Sequence, residues 1–436
     1  MKTVLEDISS VKKKVMVEIE AEDVDKRVDD AYKKFGKRAK IKGFRPGKAP
    51  RKVLERYFGD QVLEDVTNSL IKETLPKALE ETKAFPVNMP VIENDILTVG
   101  KDYRYSAFME VRPQFELKDY LGKEVEKEEL ILTDEDLERQ LEEIRALRGN
   151  LVSVKEERGV REGDYVIIDY EGFDGEGPIE GIKSQNFSLK IGSNRFYPGF
   201  EEALIGFKKG DETEIALDFK PDYFHSRLAG RHVNFKVHIR DIKEVELPEL
   251  NDEFAKNLGG GFEGVDDLKE KVREELRQRE ERRIDNESKA RLLAEISDSV
   301  EFELPESLVE SEVNATLENI RQNLVRSGSS IEKAGLDKGK LVEEIRPKAE
   351  KSVKEMLVLG EVSKQNNLKI DEKDLAEGFE ELSRGMGHSP EEMRSYYESN
   401  SLMDAFRQTL LKEKTLNFLM ENATVKYVTR EKIDKE

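Results

Sequence analysis

The residues predict a multidomain α+β protein in three parts. These are an N-terminal α+β domain, a small twisted antiparallel sheet wrapped on one short helix, and an all-α C-terminal domain. Three observations carry the prediction. The chain has 436 residues, too many for one core and suited to about three domains. Glycine becomes dense between Gly159 and Gly210, with short apolar runs between the glycines. From residue 247 onward, apolar residues recur at helical spacing almost to the end.

Composition narrows the class. Charged residues make up 39% and hydrophobic ones 37%, with a formal net charge of −20. The apolar residues are periodic, which argues against wholesale disorder. There is no Cys, so no disulfide and no thiolate metal site, in keeping with a reducing compartment. The stretch Met1-Lys2-Thr3-Val4-Leu5-Glu6-Asp7 has no apolar secretory h-region. No run approaches the roughly 18 apolar residues of a membrane span. A soluble cytoplasmic protein without a membrane partner is the expectation. The acidic total argues against general nucleic-acid binding, so any such contact must be local.

Residues 1–112 read as the first domain. Val15, Val17 and Ile19 alternate with polar residues as a half-buried strand. A helix from about Glu22 aligns Val24, Val28, Ala31 and Tyr32. Helical pattern resumes at Arg51 and continues on both sides of Gly59, and Pro76 is expected to kink or end the second of these helices. Strand-like runs return at 91–97 and 103–111.

Between the helices lies Gly43-Phe44-Arg45-Pro46-Gly47-Lys48-Ala49-Pro50. From Lys33 to Lys52 there are ten Lys/Arg and no Asp or Glu. Gly43 and Gly47 allow unusual backbone angles, while Pro46 and Pro50 stiffen the chain. A tight loop showing Phe44 and Arg45 at its tip is expected, with Pro50 opening the next helix. Cations of this kind bind phosphate by releasing counterions. A basic run alone is equally a solvated loop. The pattern Gly-Phe-Arg-x-Gly-x-x-Pro is more specific: it resembles the ribosome-docking signature of the trigger factor family of bacterial chaperones. That resemblance implies docking on the large ribosomal subunit near the nascent-chain tunnel exit, on protein and ribosomal RNA, through Gly43, Phe44, Arg45, Pro46, Gly47 and Lys48.

Residues 113–149 read as a linker with a helix. Thr133 is placed as N-cap before Asp134, Glu135 and Asp136, with Leu137, Leu141 and Ile144 at helical spacing and a stop at Gly149-Asn150. Residues 150–246 carry short strands at 165–170, 186–191, 213–219 and 232–245, and a helix opening at Pro198-Gly199-Phe200. The ordered blocks 163–172, Phe187-Ser188-Leu189-Lys190-Ile191-Gly192, Phe196-Tyr197-Pro198-Gly199-Phe200-Glu201 and Pro221-Asp222-Tyr223-Phe224, with Phe235 on the closing strand, resemble the FKBP type of peptidyl-prolyl isomerase.

The chemistry needs no nucleophile, metal or general base. Rotation about an X–Pro bond has a barrier of about 18–20 kcal/mol, set by amide resonance. An aromatic pocket that strips water from the imide favours the twisted, less dipolar form. A reduction of roughly 4 kcal/mol gives about a thousandfold acceleration. The resemblance implies a lining of Tyr170, Phe187, Phe196, Tyr197, Phe200, Tyr223 and Phe235, with Glu180 as the acid near the rim. Each aromatic is alternatively core of a small β domain. Phe200 stands where free-standing FKBPs usually carry Trp, and Tyr197 is bulkier than the family's common aliphatic residue. Inhibition by FKBP-directed macrolides is therefore not expected. Of the four histidines, His232 and His238 share a strand face but lie roughly 20 Å apart, so no metal or other cofactor is expected.

Residues 247–436 read as helical. The stretch 265–300 is long and mostly charged, with sparse apolar positions at Val265, Leu268, Val272 and Leu276, and the helix from Val265 to Ile284 is expected to project as an arm. Val309, Val313, Leu317, Ile320 and Leu324 form a cleaner stripe. Met356, Met386, Met393, Met403 and Met420 are either adaptable contact surface or ordinary core. The trigger factor resemblance implies that this body and its arms form the main chaperone surface for nascent and unfolded polypeptides. No phosphate-binding loop occurs, consistent with action without ATP. The alternative is a free-standing isomerase whose helical domain dimerises it or binds substrate; a weak homodimer is admitted as a further partner.

Overall fold

The computed structural model describes residues 1–39, 41, 44, 49–175, 177–193, 196–220, 223, 227–326, 330–331, 337–384 and 387–430. The chain separates into two compact units. One comprises Met1–Lys123, Leu292–Asn319 and Val342–Ala423; the other comprises Glu124–Arg291, Ile320–Leu341 and the stretch from Thr424.

The first unit begins with β1 (Lys2–Asp7), β2 (Lys12–Ile19), α1 (Ala21–Arg38), α2 (Arg51–Thr82), β3 (Val91–Asn94) and β4 (Tyr103–Glu110). The strands form one antiparallel sheet in the order β1-β2-β4-β3. Alternation puts Val15, Val17, Ile19, Tyr103, Tyr105 and Ala107 on one face, where they share a core with Val24, Val28 and Tyr32 of α1 and Leu54, Val62, Val66 and Leu70 of α2. β1 was not legible in the sequence. As an edge strand it half-buries only Thr3 and Leu5, so its alternation is faint.

The helix does not part at Gly59 or end at Pro76, and α2 runs as one helix through both. Packing holds it on either side of the proline. Thr74 donates to the Leu70 carbonyl at 2.7 Å and shares a 2.8 Å hydrogen bond with the Tyr105 hydroxyl, and Ala78 is wholly buried. Tertiary contacts of this kind override a local propensity penalty of about 3 kcal/mol.

The second unit contains β5 (Glu124–Glu128), α3 (Asp134–Leu147), β6 (Asn150–Ser153), β7 (Tyr165–Asp174), β8 (Gly177–Lys190), α4 (Phe200–Ala203), β9 (Glu212–Asp218), β10 (His232–Glu246), α5 (Asp252–Asn257) and the first part of α6 (Val265–Asp298). The N-cap of α3 is as expected: the Asp136 N–H donates to Thr133 Oγ1 at 3.2 Å, and the Thr133 N–H donates to Asp136 Oδ2 at 3.0 Å. Leu137 and Leu141 of α3 bury Leu268, Val272 and Leu276 of α6, together with Phe254 and Ala255 of α5. The sparse apolar positions of α6 are thus a narrow stripe with a matching cover.

In the sheet, β10 pairs with β7 along one side and with β9 and then β6 along the other, and β8 flanks β7. The carboxylate of Asp164, 5% exposed, closes the base of this sheet. It accepts from the Arg158 guanidinium at 2.6 and 2.9 Å and from the Arg161 N–H at 2.8 Å. Burial works against the charged carboxylate, but these donors outweigh it and hold its pKa below the usual range. A depressed folded pKa contributes stability that is present above the unfolded value and lost as pH falls through the folded one. Acid titration should therefore unfold this module below the ordinary carboxylate range. Arg158→Ala, which strands a buried charge, should cost about 3–5 kcal/mol in chemical denaturation.

The remaining helices are α7 (Glu306–Arg326), α8 (Lys338–Gln365), α9 (Glu372–Ser383), α10 (Pro390–Ser399) and α11 (Met403–Glu421), followed by β11 (Thr424–Val428). β11 lies parallel to β5, a pairing across the length of the sequence that no local pattern announces. In the first unit, Leu375, Phe379 and Phe406 form a separate cluster that takes in Met393 and Met403. Two of the five methionines are therefore core, while Met356 is half exposed and Met386 lies outside the described residues.

Candidate functional site

Two regions carry the expected chemistry. The first is the connection between α1 and α2. At its base the helices meet closely: a Cβ on Gly36 would lie 3.1 Å from Leu54 Cδ1, and the Phe35 and Phe58 rings lie 4.9 Å apart, tilted at 53°. Ile41 and Ala49 rest against the core. The Phe44 N–H donates to the Ile41 carbonyl at 3.1 Å, and Phe44 is 41% exposed. Gly43, Arg45, Pro46, Gly47 and Lys48 lie outside the described residues.

Arg51, one of the ten cations of this segment, is spoken for. It pairs with Asp29, donates to Glu55 at 2.7 Å and lies 4.9 Å over the Tyr32 ring. Donating to Asp29, and then to Glu55, raises its pKa further. Arg51 therefore locks α1 to α2.

The second region is an aromatic cluster at one end of the β7–β10 sheet. Gly199, at φ 82°, takes the left-handed conformation that starts α4. This turn drops Phe200 onto the sheet and leaves Phe196 and Tyr197 on the approach. Phe200 packs edge-on to Phe235 at 5.3 Å, and both have no exposed surface. Gly172 makes room for the Phe235 ring: a Cβ there would lie 3.3 Å from it and 2.7 Å from Ile182 Cγ2.

Above this floor stand partly exposed rings. Tyr170 meets Phe187 at 5.7 Å and Phe196 at 5.3 Å. Phe196 meets Tyr197 at 4.3 Å and Phe187 at 5.1 Å. Tyr197 meets Phe235 at 5.1 Å. All seven aromatics expected from the sequence come together. Tyr223 enters through Phe219, at 4.7 Å, and Phe219 reaches Tyr197 at 5.7 Å. Phe219 was missed; its signal was the alternation Ile215, Leu217, Phe219, which runs along β9 and one residue past its end.

The electrostatics are those of a neutral pocket. Burial, and then the neighbouring Tyr170 and Tyr223, push the Tyr197 hydroxyl far above the usual phenol range. Burial also raises Tyr170 and Tyr223. A hydrogen bond links the Tyr170 and Tyr197 hydroxyls, so these polar tips are partly satisfied within the cluster. Glu180 is exposed, and its backbone carbonyl accepts from the Arg227 guanidinium.

The two histidines of β10 sit beside separate cross-strand acids: His232 Nδ1 lies 2.6 Å from Asp218 and His238 Nδ1 lies 3.8 Å from Glu212. Among the described residues, no group of three or more His, Cys, Asp or Glu could hold a metal ion. The outer sheet face forms an open groove, but its lining is a charge ladder, with Lys183–Glu171 at 3.9 Å, Lys236–Glu214 at 3.8 Å and Arg240–Asp169 at 2.5 Å. Such a face is solvated, and the aromatic end is the better site for an apolar imide. Among the described residues, no helix is long and apolar enough to cross a membrane.

Known sequences agree with both regions. Residues 1–144 match the family described as bacterial trigger factor protein, 156–240 the FKBP-type peptidyl-prolyl cis-trans isomerase, and 264–421 the bacterial trigger factor C-terminus. The trigger factor of Geotalea daltonii is 36% identical over 436 residues, 100% of each chain. That of Syntrophotalea carbinolica is 37% identical over 436 residues, covering 100% of this chain and 98% of the relative. A solved trigger factor chaperone, described for promiscuous substrate recognition in folding and assembly, superposes with a TM-score of 0.51 over 97% of this chain and 99% of its own. At 22% identity that likeness is one of fold. With full-length relatives and both terminal domains matched, the chain belongs to the bacterial trigger factor family, ribosome-associated chaperones that carry an FKBP-type prolyl isomerase domain.

Proposed function

We propose that this cytoplasmic chain docks beside the ribosomal tunnel exit through Gly43, Phe44, Arg45, Pro46, Gly47 and Lys48. Its isomerase site is the ring set Tyr170, Phe187, Phe196, Tyr197, Phe200, Tyr223 and Phe235, with Phe219 added and Glu180 at the rim. The working division is 1–112 for docking, 113–149 as linker, 150–246 for isomerisation and 247–436 for holding unfolded segments without ATP. The observation that carries the reading is the ring cluster. Its polar groups are uncharged phenols linked to one another, so an X–Pro imide entering it exchanges water for aromatic faces. That exchange disfavours the planar, dipolar amide relative to the twisted one. No step needs a proton donor or a bound ion.

Removing 150–246 tests the division of labour. The shortened chain should lose turnover of proline peptides yet still co-sediment with ribosomes and suppress aggregation of a proline-free client. Loss of aggregation suppression together with turnover would favour a free-standing isomerase with an accessory helical domain.

A further inference from the structure

The carboxylate of Glu201 is 2% exposed, although it belongs to a residue type that is almost never fully buried without a partner. It sits in the first turn of α4, between Phe200 and the chain segment that leads into the ring cluster. Its Oε1 accepts from the Ser193 hydroxyl at 3.0 Å and from the backbone N–H of Phe196 at 3.2 Å. Burying a charge is costly unless hydrogen bonds meet it, and here the donors come from the loop that carries Phe196. Phe196 in turn touches Tyr170, Phe187, Tyr197 and Phe200.

We infer that Glu201 is a positioning residue for prolyl isomerisation: its buried carboxylate holds Ser193 and Phe196 so that the Phe196 ring keeps its place in the aromatic site. This rests on the assignment of the ring cluster as the isomerase site. α4 is a single short turn, and Phe196 lies outside any helix or strand, so a side-chain tether supplies at Phe196 the order that backbone pairing supplies on the strands of the module. A misplacement of about 1 Å at a positioning contact can lower turnover about a hundredfold.

The test uses the full-length protein and a proline tetrapeptide. Glu201→Ala should lower kcat/KM by between about 10- and 100-fold. Glu201→Gln, which keeps one acceptor oxygen, should fall between Ala and wild type. Amide exchange at Phe196 should quicken in both variants while the β7 and β10 amides keep their protection. The decisive comparison is a double-mutant cycle with Phe196→Ala. If Glu201 acts through Phe196, the double variant is no slower than Phe196→Ala alone. Additive losses, or unchanged turnover in Glu201→Ala, overturn the inference while leaving the site assignment intact. Unchanged turnover in Phe196→Ala instead overturns the placing of that ring in the site. Should Glu201→Ala fail to fold, Glu201→Gln decides: slower turnover with faster Phe196 exchange supports the inference, and wild-type behaviour in both overturns it.

Discussion

Replacing Phe44, Arg45 and Lys48 together with Ala is expected to abolish co-sedimentation with ribosomes while leaving the fold and the prolyl isomerase activity unchanged. The chain carries a net charge of −20, so it is repelled by the phosphate-rich ribosome surface unless a local cationic patch reverses the sign. The 33–52 segment is that patch. Each cation that neutralises a phosphate releases counterions and steepens the dependence on salt. Removing two cations should therefore weaken binding most at low salt and flatten the salt slope by roughly two.

Phe44 supplies the apolar share of the contact. Its ring is substantially exposed in the free protein, so it has surface left to bury on a partner. Arg51→Ala is the control. Arg51 is held by Asp29, Glu55 and the Tyr32 face, so its loss should lower the thermal midpoint and spare docking. Ribosome binding that survives the triple substitution would remove the loop from the docking role.

Phe235→Ala should nearly silence isomerisation and also destabilise the module. The ring is fully buried and lies within 6.4 Å of Tyr170, Tyr197, Phe200 and Phe219. Truncating such a residue costs about 3–5 kcal/mol through lost transfer energy and the cavity left behind. The collapsed floor would admit water beneath the imide. Losing about half of a 4 kcal/mol barrier reduction slows turnover about 30-fold. Phe235→Leu separates the two effects, since a near-isosteric swap usually costs under about 1.5 kcal/mol. It should fold normally and still turn over slowly, because Leu fills the space without presenting an aromatic face. Wild-type kcat/KM in Phe235→Leu would confine Phe235 to a structural role.

Much of the aromatic cluster was legible because its rings sit in short contiguous blocks. The Thr133 cap and the turn at Gly199 rest on local backbone demands, which residue type alone can express. β10 was readable because alternation of Val233, Phe235, Val237 and Ile239 toward one face is a period of two that only a half-buried strand produces. Breaks were misjudged where packing outweighed propensity. Pro76 looked like an end, yet Thr74, Tyr105 and buried Ala78 hold α2 together around it.

Chain-distant pairing stayed hidden. Nothing near Glu124–Glu128 points to Thr424–Val428, and a pair of short polar strands has no apolar period to betray it. The roles of Arg51 and Glu201 were equally invisible. One looked like part of a cationic run and the other like a surface acid, and only the approach of α1 to α2 and the fold of α4 onto its preceding loop reveal their partners.

By itself, the order of residues settled most of the helices and the inner strands, where the charge reverses sign, and seven of the aromatics that share one module. The tertiary structure alone decided which of those aromatics lie under the site and which stand around it, and which charged side chains are spent on holding the fold. Local conformation follows from near-neighbour sterics and periodicity, whereas burial and pairing depend on which distant side chains fill the remaining space.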